Sequence, residues 1–364
     1  MVSDRQAPPT PRQDIRFTRS VDGVQIAYAV HGSGPPLLVD ACWLSHLQYD
    51  WSSPVWRHYL TFWGTRHTVV RFDERGHGLS DRGVTDHSPE LRLADLEAVA
   101  DDAGLDRFDL LAMAQGGPIA IAYAVRHPER VSRLAFYGSY SGQQGRDPKD
   151  AELNDALDAL IKVGWARPDS AFRRVFTSLM IPEGTEEQHV WLDELQRNAT
   201  DTATALTARR QRLVADASHL LGRVAAPTLV LHSTGDRMNN FSEARYLASH
   251  ITDARLVALE SDNHIVLEDE PAWQTFTREL DAFLDEPPAA QHNSATHPSP
   301  LDRLSPREEE ILGLAARGLD NDAIAGELVL SGRTVERHLS NVYAKLDLHG
   351  RSARTAAVAA YLTR

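Results

Sequence analysis

Along the first three quarters of the chain, short apolar runs alternate with stretches whose apolar residues recur at helical spacing. The runs Ile15–Ser20, Gln25–Val30, Pro36–Ala41, Thr68–Phe72, Phe108–Met113, Arg133–Tyr137, Thr228–His232 and Arg255–Leu259 read as β-strands. The stretches Pro89–Ala103, Gly117–His127, Ser242–Ile251 and Pro271–Leu284 read as helices, and Ser88 followed by Pro89 supplies an N-cap and a first-turn proline. Continuous apolar strands separated by helices predict an α/β fold with a parallel sheet covered on both faces. The first two strands, joined over Val21–Val24, predict an antiparallel hairpin at one edge.

Residues 143–222 break this alternation: they are helix-rich and carry Trp165, Phe172, Phe176, Met180 and Trp191. Their place between the sixth and seventh strands predicts a helical cap over a pocket, and a cap also needs a core of its own. Residues 1–14 are polar and contain proline, and read as a disordered leader. Residues 286–300, rich in Pro, Ala, Ser and His without apolar period, read as a linker.

Beyond the linker, residues 301–364 predict a small all-α domain. Ser305-Pro306-Arg307-Glu308 is a capping box, Ile311, Leu312, Leu314 and Ala315 form an apolar stripe, and Gly318 ends that helix. A second helix spans about Asn321–Leu328, and Ser331 caps a third over Arg333–Leu346. A fourth, Ala353–Leu362, serves as core, as a dimer surface, or as both.

Length supports this partition, since 364 residues suit one large domain and one small one. The apolar runs are too short to span a membrane, and the N-terminus lacks a signal-peptide core. The single cysteine, Cys42, excludes an internal disulfide framework and fits the reducing cytoplasm. No Cys/His spacing suggests a structural metal, and no motif implies a cofactor.

The net charge of −13 argues against indiscriminate binding to nucleic acid, but its distribution changes that picture. Residues 301–364 hold nine basic and nine acidic groups, with six basic against two acidic in 331–364. On the third helix Arg333, Arg337, Asn341 and Lys345 stand four apart and share a face, with Thr334 and His338 beside them. That face suits a recognition helix; periodicity alone also allows a solvated polar surface.

The chemistry centres on FDLLAMAQGGPIAIAY, residues 108–123, where an apolar run meets a small-residue turn and then a helix. This is the setting of a nucleophile elbow, G-x-S-x-G, whose five positions are here Ala112, Met113, Ala114, Gln115 and Gly116. Alanine has no hydroxyl, so no acyl-enzyme can form at Ala114. Ser139 and Ser141 flank Tyr140 and do not replace the missing serine; Ser80 reads as a turn residue.

Five segments in order carry a family resemblance: HGSGPPLLVDACWLSH (31–46), FDERGHGLSD (72–81), the elbow, RHPERVSRLAFYG (126–138), and LVLHSTGDRMNN followed by LESDNH. On these, residues 15–285 resemble an α/β-hydrolase. The resemblance implies Ala114 at the nucleophile position, Asp236 as acid and His264 as base. It also implies an oxyanion hole formed by the N–H of Gln115 and that of either Cys42 or Trp43. Without the resemblance, Asp236 reads as a turn residue and His264 as a loop histidine beside Asp262. His46 in the loop, and Trp165 and Met180 in the cap, are candidate ligand contacts; Trp51 and Trp56 line the pocket mouth or belong to the core.

Residues 301–364 resemble the LuxR-type helix-turn-helix domain across LSPREEEILGLAARGLDNDAIAGELVLSGRTVERHLSNVYAKLDL. This implies double-stranded DNA as a partner, with Arg333, Thr334, Arg337 and His338 in the groove and Asn341 and Lys345 mainly on phosphates. It also implies a homodimer reading two half-sites. Two functions stay open at this stage. One is a cytoplasmic transcriptional regulator whose hydrolase-like domain senses a small molecule such as an ester or lactone. The other is an ester or lactone hydrolase fused to a DNA-binding domain and inactivated by an engineered Ala114. Neither allows triad-based hydrolysis by the chain as it stands, and neither involves a membrane. A lyase or isomerase that dispenses with the triad is a third reading.

Overall fold

The strands assemble into one eight-stranded sheet in a computed structural model, which describes residues 12–40, 44–142, 148–169, 171–285, 304–316, 319–328, 330–346, 348, 353, 354, 357 and 358. They are β1 (Asp14–Arg19), β2 (Gln25–Gly32), β3 (Pro36–Asp40), β4 (Thr68–Phe72), β5 (Phe108–Met113), β6 (Val131–Tyr137), β7 (Thr228–Ser233) and β8 (Ala254–Leu259). Their spatial order is β1-β2-β4-β3-β5-β6-β7-β8. β2 pairs antiparallel with β1 and β4, and every other pair is parallel. All eight strands expected from the pattern are present, and their ends move by at most two residues.

Period-two alternation divides the inner strands between two cores. Val39, Leu111, Met113, Tyr137 and Leu231 face one side, where α2 (Arg57–Arg66) and α10 (Pro271–Asp285) supply Tyr59, Trp63 and Phe276. Leu38, Leu110, Ala112, Phe136 and Val230 face the other, against α3 (Pro89–Asp102), α4 (Gly117–Arg126) and α9 (Phe241–His250). β5 is buried along its whole length, whereas the edge strand β1 is mostly exposed. The short α1 (Leu47–Asp50) and α2 escaped the pattern reading, because aromatics crowd residues 49–63 and blur the helical stripe. Trp56 is a core residue, and Trp51 is half-buried with the Arg57 guanidinium 4.6 Å from its ring centre.

Four helices stand between β6 and β7: α5 (Pro148–Gly164), α6 (Ala171–Met180), α7 (Glu186–Ala199) and α8 (Thr202–Leu213). Ile161, Trp165, Phe176, Leu192 and Leu195 are buried among them. Fully buried Arg173 donates to the carbonyls of Trp165, Arg167 and Asp193 at 2.6–2.9 Å, which cancels the desolvation of its charge. No helix among the described residues is long and apolar enough to cross a membrane.

The chain divides into two units, Met1–Glu286 and Pro287–Arg364. The second contains α11 (Pro306–Ala316), α12 (Asn321–Leu328) and α13 (Gly332–Lys345), packed around Ile311, Leu314, Ile324, Val335 and Leu339. Ser305 Oγ accepts the Glu308 N–H while Glu308 Oε2 accepts the Ser305 N–H, and Ser331 Oγ accepts the Thr334 N–H. The expected leader up to residue 11, the linker 286–300, Gly318 and most of Ala353–Leu362 lie outside the described residues.

Candidate functional site

Strand β5 ends at Met113, and a single 3₁₀ turn, Ala114–Gly116, leads into α4. Ala114 has φ +46°, the only non-glycine residue with positive φ among those described. That backbone costs an L-residue ~1–2 kcal/mol, so the surroundings must impose it. The Ala114 carbonyl accepts the Ser139 hydroxyl at 2.6 Å, and Met113 is in register with Tyr137 on β6. A Cβ at Gly116 would stand 2.8 Å from Asp40 Oδ2, and one at Gly117 would stand 2.0 Å from the Tyr140 carbonyl oxygen. The turn is thus pressed between the ends of β3 and β6: the Tyr140 carbonyl leaves no room for a Cβ at position 117, whereas at 116 the Asp40 side chain would have to give way.

Two strands away, β7 and β8 deliver a carboxylate and an imidazole. His264 Nδ1 donates to Asp236 Oδ2 at 2.6 Å, while Asp236 Oδ1 accepts the N–H groups of Met238 (2.8 Å) and Asn239 (3.0 Å). His232 Nε2 lies 3.3 Å from Asp236 Oδ2 and donates to the Asn239 carbonyl. Burial pushes the Asp236 carboxyl up, but His264, His232 and the Asn239 N–H outweigh it and hold it well below the usual carboxylate range. With Nδ1 committed to Asp236, Nε2 is the ring nitrogen left to carry a proton.

The loop bearing the base is pinned from several sides. The Met180 carbonyl accepts the N–H groups of His264 and Ile265, and Tyr137 Oη donates to the His264 carbonyl while accepting the Val266 N–H. Gly138, at φ +56°, admits the ring: a Cβ there would lie 2.9 Å from His264 Cε1. Gly138 and Ser139 therefore link the elbow to the acid–base pair. The arrangement holds an imidazole oriented by a braced carboxylate, and a methyl group at residue 114 on the turn after β5.

A buried ion cluster lies behind the elbow. Glu74 Oε1 accepts Arg92 at 2.7 Å, Glu74 Oε2 pairs with Arg212 of α8, and the Gln115 carbonyl is 3.4 Å from Arg92. Burial raises Glu74, but Arg212 and Arg92 prevail and bring it down to about 2. Sequence reading missed these residues. Glu74 sits inside the second family segment, yet nothing local marks Arg212 as its partner.

The structure brings Asp236 and His264 together and sets Ala114 at the end of β5, two strands from β7. Gln115 is buried within the turn. Cys42 and Trp43 lie outside the described residues. His46 caps α1, its Nδ1 accepting the Tyr49 N–H at 3.3 Å. Trp165 is buried within the cap with its indole N–H on the Thr200 carbonyl, and Met180 is buried with its carbonyl on the base loop. Ser80 ties the turn after β4, accepting the Ala27 N–H and donating to the Asp73 carbonyl.

In the second unit, Arg333, Arg337 and Asn341 are exposed on α13, and Thr334 and His338 are half-buried. Lys345 Nζ is 2.6 Å from Glu308 Oε2, so this cation ties α13 to α11.

Comparison with known proteins agrees with this architecture. The family model described as alpha/beta hydrolase fold matches residues 41–271, and that of bacterial regulatory proteins, luxR family, matches residues 302–358. Over 241 residues the chain is 25% identical to a putative carbamate hydrolase RutD of Azorhizobium caulinodans, covering 65% of this chain and 87% of that relative. It is 23% identical over 233 residues to 3-oxoadipate enol-lactonase 2 of Acinetobacter baylyi, covering 63% and 83%. The enol-lactonase structure from Burkholderia xenovorans superposes with a TM-score of 0.61 at 20% identity, covering 74% of this chain and all of that one, which shows a shared fold.

Proposed function

Because the chain belongs to the alpha/beta hydrolase fold family and ends in a luxR-family DNA-binding domain, we propose that it is a transcriptional regulator whose hydrolase-like domain binds a small molecule without hydrolysing it. One observation carries this reading: the residue in the strained elbow is alanine, beside an acid–base pair at 2.6 Å. His264 has no hydroxyl to deprotonate there, so covalent catalysis stops before its first step. The hydrogen-bonded pair of Asp236 and His264 outlasts that loss. The likeness to a carbamate hydrolase and an enol-lactonase supports a carbonyl compound as ligand.

The ligand acts only if it binds the DNA-competent and DNA-incompetent states with different affinity. Arg333, Thr334, Arg337 and His338 read base edges, Asn341 contacts the backbone, and two copies bind two half-sites as a homodimer in the cytoplasm. The bracing of Asp236 and His264 favours a second reading, a hydrolase disabled at this one position.

A single assay separates the two. The chain and its Ala114→Ser variant are given a panel of short activated esters and lactones. Turnover by the serine variant alone supports the disabled hydrolase. Silence from both, with both folded, supports the sensor.

A further inference from the structure

A partly open cavity lies on the sheet face covered by α2, lined from β3, β4, β5, α1 and α2. Its volume is about 50 Å³, several times the ~10–15 Å³ that one water needs, so it has room for a molecule of a few heavy atoms. Leu44, Trp56, Leu60, Phe72 and Met113 make most of the wall apolar.

Four polar residues interrupt that wall: Ser45, Asp50, Trp63 and Arg71, each more than nine-tenths buried. Trp63 Nε1, Arg71 Nε and Asp50 Oδ1 have no hydrogen-bond partner on the protein, whereas the Ser45 hydroxyl hydrogen-bonds Asp73. Buried groups of this kind are almost always satisfied, and three on one small cavity need a common explanation. The other atoms of the charged pair are fixed in place. Asp50 Oδ2 accepts the His46 N–H at 3.2 Å and faces Arg71 Nη1 at 3.5 Å, while Arg71 Nη2 donates to the Leu47 carbonyl and Gln13 Oε1, both at 2.7 Å. The site is thus rigid before anything enters it.

The donor set and the charge define the occupant. Trp63 Nε1 and Arg71 Nε donate, and Asp50 Oδ1, once ionised, accepts. Asp50 and Asp73 both act on Arg71, and burial pushes Asp50 up to about 7, so above that pH Asp50 carries the charge that opposes this cation and its Oδ1 is an acceptor. A further anion would add to an excess of negative charge away from water, and a further cation would meet Arg71.

We infer that this cavity binds a small uncharged carboxamide. Its carbonyl accepts from Trp63 and Arg71, its N–H donates to Asp50, and its short alkyl end packs on Leu60, Phe72 and Met113. The inference rests on the sensor reading only for its consequence at DNA; the binding stands without it. Leu44 and Ser45 directly follow residues 41–43, where the second oxyanion donor is expected, and Met113 directly precedes Ala114. An occupant therefore bears on Met113, the last residue before the elbow turn.

The test uses the full chain with ¹⁵N-labelled tryptophan, the indole signal of Trp63 being assigned by its loss in Trp63→Phe. Propionamide is titrated beside propionate, its charged counterpart of the same shape. Leu60→Phe fills the cavity without touching its polar atoms, and Met113→Phe does the same should the first not fold. Propionamide is expected to shift the Trp63 signal saturably, to bind at least about tenfold tighter than propionate, and to lose its effect in the filled variant. An unmoved Trp63 signal, equal response to both probes, or an unchanged response in a folded filled variant overturns the inference and leaves ordered water as the occupant. DNA affinity is measured in parallel. Saturable binding with unaltered DNA affinity upholds the site and counts against the sensor reading instead.

Discussion

Acid should unfold the hydrolase-like unit in part through one histidine. His77 follows β4 and is completely buried; its Nδ1 donates to the Arg75 carbonyl at 2.9 Å, and its Nε2 has no hydrogen-bond partner. Burial, then the nearby Arg212 charge, lower it from 6.5 to about 3, while Glu74 pulls weakly the other way. The lowered pKa belongs to the folded state, so the unfolded chain takes up this proton first as pH falls. Above pH 6.5 both states are neutral and His77 contributes no pH dependence. Below it, stability declines by ~1.4 kcal/mol per pH unit until about pH 3. At pH 5 the loss from this residue is about 2 kcal/mol.

The perturbation is His77→Asn, which removes the proton acceptor and keeps a polar group. Urea unfolding is followed by tryptophan fluorescence at pH 7, 6 and 5. All seven tryptophans lie between residues 43 and 273, so the signal reports the first unit alone. Asparagine in this buried place lowers stability at pH 7, and that offset is not the test. The test is the slope: the variant should lose about 2 kcal/mol less than the parent between pH 7 and pH 5. Parallel profiles for the two proteins would refute the claim that His77 is held neutral by burial and Arg212.

Two further outcomes follow from geometry. Gly117→Ala places a Cβ against the Tyr140 carbonyl and Ser139 Oγ, both belonging to a packed strand end, and should destabilise the first unit by ~1–3 kcal/mol in the same fluorescence melt; a stability equal to the parent's would mean that the elbow is not compressed. Arg337→Ala, on the exposed face of α13, should weaken binding to a DNA site selected from a random pool by ~1–3 kcal/mol and relax its sequence preference, and binding unchanged in both respects would remove Arg337 from the interface.

The sequence by itself determined what depends on neighbours along the chain. Strand and helix positions followed from apolar period, the capping box at Ser305–Glu308 from residue type, and the lack of a hydroxyl on the elbow from the identity of residue 114. The family segments supplied Asp236 and His264 as a pair, but their 2.6 Å contact comes from the adjacency of β7 and β8, across 28 residues of chain. The joining of Glu74, Arg92 and Arg212 likewise required the cap to return over the β4 turn, and no local pattern encodes that closure. Lys345 shares the spacing of Arg333, Arg337 and Asn341, and its contact with Glu308 on α11 is one that spacing does not show. Trp165 looked equally suited to a pocket and to a core, because hydrophobicity does not say which apolar surface a side chain will cover. The cavity beneath α2 was invisible for the same reason: Ser45, Asp50, Trp63 and Arg71 converge only after β4 and α2 pack. Hydrogen bonding and turn chemistry act over a few residues, whereas the meeting of distant charges depends on strand order, which is decided by the folded sheet as a whole.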